Sequence, residues 1–424
     1  MCIYGFSFFK QVKQNHPHKA TTQTDSTHAT KKVKKIEIFM NISILIASLV
    51  ALVATLWIHP YMVKIAHIKN IVDNPDARKL QKRPVPVLGG AAVFFGMMAG
   101  IGITHIYADC SSLFIIVTAM MTLLYIGIID DILDLSPRLR FLIEIVVVVM
   151  LMLCSGRSID SLHGLGGYYL MPTWVAFPFT IFATVGIINA INLIDGVDGL
   201  SSGFSIMASL AFGIYFYIIG YHSMVILSAV SIGSMIPFFL HNVLGKRSKM
   251  FIGDGGTLAM GVVLATFVVF TLTGSNMDRS ALSPSFGLVA FSLGVMAIPV
   301  FDTMRVMSAR ILQGTSPFHP DKTHLHHLFI ELGFSHVGTS LSILTLNLII
   351  IAAQLGVWLL GGDIAVQLYV VVGLSLLFTV GLYYGMKRAS ERNPIKRALK
   401  YVGRLSQSKF RYGFVTLQRI IDKI

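Results

Sequence analysis

Charge is scarce in this sequence: 13% of its 424 residues are charged, with 20 Asp and Glu against 34 Lys and Arg. Soluble domains carry about 25% charged residues, so a water-exposed globular surface is excluded for most of the chain. Cysteine is rarer still. Cys2, Cys110 and Cys154 form no CxxC pair and no zinc-ligand spacing, which excludes a disulfide scaffold and a structural zinc finger. No GxxxxGK[ST] loop occurs, so a P-loop nucleotide site is excluded as well. The net charge of +14 comes without an aromatic-basic module, and no nucleic acid is expected as partner.

What is abundant is apolar length. Hydrophobic residues make up 54% of the chain and mean hydropathy is +0.72. A helix needs about 20 apolar residues to cross a bilayer core. Runs of that kind predict an all-α, polytopic membrane protein with about 11 transmembrane helices, at residues 41–63, 87–107, 112–129, 141–156, 173–194, 200–220, 223–243, 256–275, 285–308, 338–360 and 364–386. The run at 141–156 is short, and 285–308 carries an Asp.

Lys and Arg near helix ends stay on the cytoplasmic side. With the carboxyl end inside, that side holds the basic loop with Arg78, Lys79, Lys82 and Arg83, then Arg138, Arg140, Lys246, Arg247, Lys249, Arg305 and Arg310, and the tail from Lys387. Between spans, the other side holds only Arg157 and Arg279. Residues 1–39 oppose this pattern, being polar and lysine-rich on the outer side, and Met40 stands directly before the first span. The expected division is therefore a polar extension at 1–39 that is not part of the native domain, a multi-span domain at 40–386, and a basic tail at 387–424 attracted to anionic lipid.

Polar motifs interrupt the apolar runs at few places. Asn189, Asn192, Asp195 and Asp198 are spaced by three, which on a helix gives neighbours in the series a shared face, and Gly196 and Gly199 allow backbone to approach a ligand. Asp130 and Asp131 close the third span; adjacent carboxylates repel, so a cation or a phosphate-bound metal is expected to offset them. Asp254 lies among glycines at the start of a span, where a carboxylate beside free backbone N–H groups suits metal and phosphate together. Asp302 lies within a span and needs a partner or a function; Arg305, one turn on, is the structural candidate. Arg310 then opens a loop containing His319, Asp321, Lys322, His324, His326 and His327, suited to phosphate, sugar or a transition metal. All these clusters fall on the predicted cytoplasmic face, which points to one active site at that surface.

In combination the motifs resemble the polyprenyl-phosphate N-acetylhexosamine-1-phosphate transferases, the superfamily that includes MraY, WecA and TagO. The resemblance runs from about Met40 to Phe329 and rests on Asp130-Asp131, N-x-x-N-x-x-D-G-x-D-G-L from Asn189, F-x-G-D at Phe251 to Asp254, and H-x-H-H at His324 to His327. P-x-x-D-T at Pro299 and S-P-F-x-P-D at Ser316 resemble the WecA and TagO branch. Gly256 departs from the pattern, since many relatives have Ser there.

The resemblance implies transfer of an N-acetylhexosamine 1-phosphate, GlcNAc 1-phosphate by preference, from a UDP-sugar to polyprenyl (undecaprenyl) phosphate with release of UMP. It implies Mg²⁺, with Mn²⁺ as a substitute, bound at Asp254. Asp130, Asp131, Asp195, Asp198 and His324 are expected to be catalytic. Lys82, Asn189, Asn192, Phe251, Asp302, Arg310, His326 and His327 are expected to bind substrate. The expected setting is a bacterial inner membrane with the site facing the cytoplasm, and the assembly allowed for is a homodimer. Lipid phosphate is largely dianionic at neutral pH, so direct attack is favoured over a phospho-sugar carried on an Asp. The alternatives are a phospho-N-acetylmuramoyl-pentapeptide transferase and, from another class, an ion-coupled transporter, which would place polar residues at the bilayer midplane.

Overall fold

The structure, a computed structural model, describes residues 23–74, 84–104, 111–274, 284–317, 322–408 and 411–422. Two compact units divide the chain. The first, Met1–Ser43, includes the start of helix α1 (Gln23–Ile68), and the second, Ile44–Ile424, holds the remaining elements.

Among the described residues the second unit is mainly helical, with a two-residue antiparallel pair, β1 (Val72–Asp73) with β2 (Val85–Pro86), and an isolated bridge between Ser161 and Leu170. In chain order follow α2 (Gly89–Thr104), α3 (Ser111–Leu133), α4 (Pro137–Ser155), α5 (Thr173–Leu193), α6 (Leu200–Ile218), α7 (His222–Leu244), α8 (Gly253–Leu272), α9 (Leu288–Val295), α10 (Ala297–Leu312), α11 (Leu325–Glu331) and α12 (His336–Leu359). The chain ends in α13 (Ile364–Leu376), a π-turn, α14 (Leu382–Arg388), α15 (Pro394–Ser408) and α16 (Arg411–Ile421).

A polytopic all-α membrane protein is what the chain forms, but the expected count of eleven spans is not reached. Among the described residues eight helices are long and apolar enough to cross a bilayer, or nine if α9 and α10 form one bent span. The physical reasons are local. Helix α2 has 16 residues, about 24 Å of rise against a core of about 30 Å. Helix α4 begins with Arg138 and Arg140 and carries Glu144. Between α9 and α10 the axis turns by 73°. Asn347 of α12 holds that break, its amide oxygen accepting from Ile298 N at 2.9 Å and its nitrogen donating to Val295 O at 3.0 Å. Broken helices persist at membrane depth where the freed backbone groups are satisfied by protein in this way.

Local signals set the ends. Ser136 accepts from Leu139 N and Pro137 stands in the first turn of α4, while Gly156 closes it in the left-handed region. Ser335 caps α12 through Gly338 N, and Asp363 caps α13 through Val366 N.

Helix α8 is the axis of the bundle. Its apolar span is buried along its whole length, packed by α3, α5 and α2. In lipid, helices gain from close packing of small residues rather than from exclusion of water. A side chain added at Gly90 would lie 2.3 Å from the Gly256 backbone, and one at Gly127 would lie 2.2 Å from Gly255 N. The departure noted at Gly256 therefore has a cause in this chain: α2 passes where a larger residue would stand.

Candidate functional site

The polar motifs converge at one end of this bundle. Gly253, with φ of +71°, turns the chain into α8 so that Asp254 N donates to Asp131 Oδ2 at 3.0 Å. The loop before α8 is zipped to the segment before α2: Phe251 N donates to Pro86 O at 2.7 Å and Gly89 N to Phe251 O at 3.0 Å. Arg140, in the second turn of α4, bridges two carboxylates. Its Nη1 lies 2.9 Å from Asp130 Oδ2 and 2.9 Å from Asp254 Oδ2, and its Nε lies 3.7 Å from Glu144 Oε1. Asp130 also accepts from Leu135 N at 2.8 Å, which folds the chain back after α3.

The asparagine and aspartate series does not form one helical stripe, because α5 ends at Leu193 and Asp195 and Asp198 lie in the turn that follows. Asn189, expected to bind substrate, is instead buried beneath the site, donating to Glu144 and to Val185 O. Asn192 donates to Thr257 Oγ1 at 2.8 Å and so ties α5 to α8. Asp195 accepts from Ser201 Oγ. Asp195 is exposed on the cavity side, and the protein packed around it shifts its carboxyl upward by partial desolvation. Burial works the same way on Asp198, yet it is outweighed by His336 and Lys249, and the net shift is downward. Lys249 Nζ is 2.6 Å and His336 Nδ1 3.1 Å from Asp198 Oδ2. Lys249 also stands over the Phe251 ring at 5.7 Å. Asn242 ties the turn to the next loop, accepting from Gly199 N at 2.7 Å and donating to Met250 O at 3.0 Å.

Asp302 is 2% exposed and consumed by protein partners: Arg305 Nη2 at 2.6 Å, His324 Nδ1 at 2.9 Å and Leu325 N at 3.1 Å. Arg305 in turn donates to Thr323 O at 2.6 Å and stacks 3.9 Å from the centre of the Tyr383 ring. Asp302 thus fixes the start of α11 rather than meeting substrate. His324, expected to be catalytic, is buried on this latch with Nε2 unpartnered, and it is His327 that borders the cavity. His326 is buried against Gly196, where an added Cβ would lie 2.1 Å from its Nε2. Burial first, then the neighbouring His327 and His324, hold its imidazole well below the usual range, so it is neutral at physiological pH. Arg310 is buried too, donating to Pro317 O at 2.5 Å. Lys82, His319 and Asp321 lie outside the described residues.

The result is one cavity of about 840 Å³. Asp73, Asp131, Asp195, Asp198 and Asp254 border it together with Lys246, Arg247, Lys249, His327 and His336, and Phe251 and the β1–β2 pair complete the wall. The sequence reading passed over four of the residues in or under this site. Arg140 was counted only as a topology cation, although its spacing of four from Glu144 just after a Ser-Pro helix start is a pairing signal. Lys249 and His336 carry no local signal, being 51 and 138 residues from Asp198 in sequence.

Comparison with known proteins gives matches of the same kind. Residues 113–272 match the family model described as glycosyl transferase family 4. The chain is 31% identical over 280 residues to an undecaprenyl-phosphate alpha-N-acetylglucosaminyl 1-phosphate transferase of Escherichia coli, covering 64% of this chain and 72% of that protein. It is 33% identical over 310 residues to a probable undecaprenyl-phosphate N-acetylglucosaminyl 1-phosphate transferase of Bacillus subtilis, covering 73% and 82%. With the carboxylates of α3, of the turn after α5 and of α8 drawn to one cavity and these similarities across most of the chain, the protein belongs to glycosyl transferase family 4, the polyprenyl-phosphate N-acetylhexosamine-1-phosphate transferases.

Proposed function

We propose that this protein transfers GlcNAc 1-phosphate from UDP-GlcNAc to undecaprenyl phosphate, releasing UMP, at the cytoplasmic face of a bacterial plasma membrane. The observation that carries the proposal is the mixed lining of the cavity, where Asp73, Asp131, Asp195, Asp198 and Asp254 share the wall with Lys246, Arg247, Lys249, His327 and His336. Phosphoryl transfer depends on positioning and on neutralising charge, and both are served by such a wall. Lys246, Arg247, Lys249 and His327 are placed to meet pyrophosphate oxygens, and Phe251 offers a ring to the uracil.

Asp131 and Asp254 fit a divalent cation. Among the described residues no group of three or more His, Cys, Asp and Glu is arranged to hold a metal alone. Mg²⁺ does not need one, since it keeps several waters and takes one or two carboxylates plus substrate phosphates. The Asp254 side chain is 37% exposed beside Asp131, with Arg140 as its one ion-pair partner among the described residues. When bound, Mg²⁺, or Mn²⁺ in its place, would supply the positive charge that the pyrophosphate develops a need for. Asp130 and Asp131 then arrange metal and lipid phosphate, and the lipid phosphate itself attacks, in line with its dianionic form at neutral pH.

The Lys and Arg asymmetry supports the cytoplasmic orientation. The names of the relatives favour GlcNAc over a muramoyl-pentapeptide. Purified protein with Mg²⁺, polyprenyl phosphate and a panel of UDP-sugars tests the reading by UMP release. Fastest release with UDP-GlcNAc is expected. No release with any sugar, or preference for the peptide-bearing one, overturns it. Labelled sugar phosphate retained on the denatured protein in the absence of lipid acceptor would replace direct attack by a two-step displacement.

A further inference from the structure

The cation-rich side of the cavity is a short loop, Gly245 to Phe251, between α7 and α8, and its shape is set from the far end of the chain. Asp422, just beyond α16, places Oδ1 within 2.9 Å of Lys246 N, 2.9 Å of Arg247 N and 3.1 Å of Ser248 N. It also accepts from Ser248 Oγ at 3.0 Å. Three successive backbone N–H groups converging on one oxygen form an anion-binding concavity. Here a side chain of the same protein fills it, 174 to 176 residues away in sequence.

Ser248 is the centre of a larger clamp. Its carbonyl accepts from or faces His59 Nε2 of α1 at 2.8 Å, and its hydroxyl meets His241 Nδ1 of α7 at 3.0 Å. The two imidazoles stack with centroids 4.0 Å apart. Helix α16 is packed on α7, which brings Asp422 to the loop. The side chains on either side of the clamped serine, Arg247 and Lys249, border the cavity, and Lys249 makes the 2.6 Å pair with Asp198. Three cations within four residues repel one another, so a loop of this composition does not hold a bent backbone unaided.

We propose that Asp422 is a positioning residue for the nucleotide-sugar site: by holding the backbone of residues 246–248 it fixes Arg247 and Lys249 against the cavity, and it makes the carboxyl-terminal helix part of the active site. This rests on the function proposed above. Burial disfavours the Asp422 carboxylate, but the Lys246, Ser248 and Arg247 N–H groups outweigh it and hold its pKa below the ordinary range, so the clamp stays ionised at neutral pH.

The test uses full-length protein in detergent with Asp422→Ala, Asp422→Asn and Asp422→Glu. Trypsin cleavage after Lys246 and Arg247, followed without substrate, reads the loop directly. Cleavage in Asp422→Ala is expected to rise about tenfold, with the melting temperature of the protein within about 2 °C of wild type. UMP release should show KM for UDP-GlcNAc raised about tenfold in Asp422→Ala while kcat changes less than about threefold, with Asp422→Glu closest to wild type. Unchanged cleavage and unchanged KM overturn the proposal, and so does a lowered KM, which would make Asp422 a competitor for a substrate anion. If wild-type protein releases no UMP at all, the functional reading fails, while the cleavage result still decides whether Asp422 holds the loop.

Discussion

Two carboxylate clusters lie in this bundle, and they are built in opposite ways. At Asp302 the charge is saturated: Arg305, His324 and a backbone N–H surround a carboxylate that is 2% exposed, and Arg305 is itself held by Thr323 O and Tyr383. At the cavity, Asp130 and Asp254 share Arg140, Asp131 accepts from Asp254 N, and Asp131 and Asp254 face open space. A buried ion pair with all its partners holds a structure in register, whereas carboxylates left short of positive charge are ready to receive it from a ligand. Both clusters stand out equally in the sequence as Asp at a membrane helix. Only the supply of partners separates a latch from a site.

The sharpest break in this comparison is expected from changing one Asp in each cluster to Asn. Asp254→Asn should cut turnover by about a thousandfold, the scale of a lost charge at a metal-assisted transfer, with expression and melting temperature retained. Asp302→Asn should do the reverse, leaving Arg305 buried without its counter-charge and lowering stability by about 3–5 kcal/mol, seen in detergent melting and in membrane levels. Equal losses of stability in the two variants would erase the distinction.

A smaller effect is expected at Arg140, the one ion-pair partner that Asp130 and Asp254 share among the described residues. Arg140→Gln removes a cation that competes with a metal for the same oxygens, so the Mg²⁺ concentration for half-maximal activity should fall by about threefold to tenfold, the roughly 1 kcal/mol between unit charges about 4 Å apart at a water-like dielectric near 80. A rise instead would mean that Arg140 orders the carboxylates for the metal rather than offsetting them.

The smallest effect is expected at Asp195, measured as melting temperature from about pH 5 to pH 8 with EDTA present. Partial desolvation raises its carboxyl above its unfolded value, so the folded protein binds the extra proton and a little stability is lost as pH rises through that range, little because Asp195 is exposed to the cavity. Asp195→Asn has no such proton and should show a flatter profile. Identical profiles would show that water in the cavity screens Asp195 completely.

Much of the site was legible because membrane sequence makes polar residues conspicuous. Asp131, Asp195, Asp198, Phe251, Asp254 and His327 all border the cavity and all interrupt or bound apolar runs. The sequence is less informative where a polar residue meets another polar residue. Asn189 and Asp302 look like ligands for substrate and are ligands for Glu144, Arg305 and His324, a distinction that depends on which side chains other helices bring up to them. The count of about eleven spans is not confirmed among the described residues for a related reason: Asn347 of α12 makes the 73° break between α9 and α10 tenable, and nothing at residues 288–312 announces that partner.

By itself, then, the sequence determined the environment and the chemistry: hydropathy made the chain a helical membrane protein, and motif order placed the carboxylates and histidines of a phosphoryl-transfer site on it. Tertiary structure alone decided which of those groups are free to act. The pairings of Lys249 and His336 with Asp198, of Arg140 with Asp254, and of Asp422 with the loop at 246–248 join residues 51 to 176 positions apart. Charge neutralisation falls off with distance in space and is indifferent to distance along the chain, so it became visible only when the helices were packed.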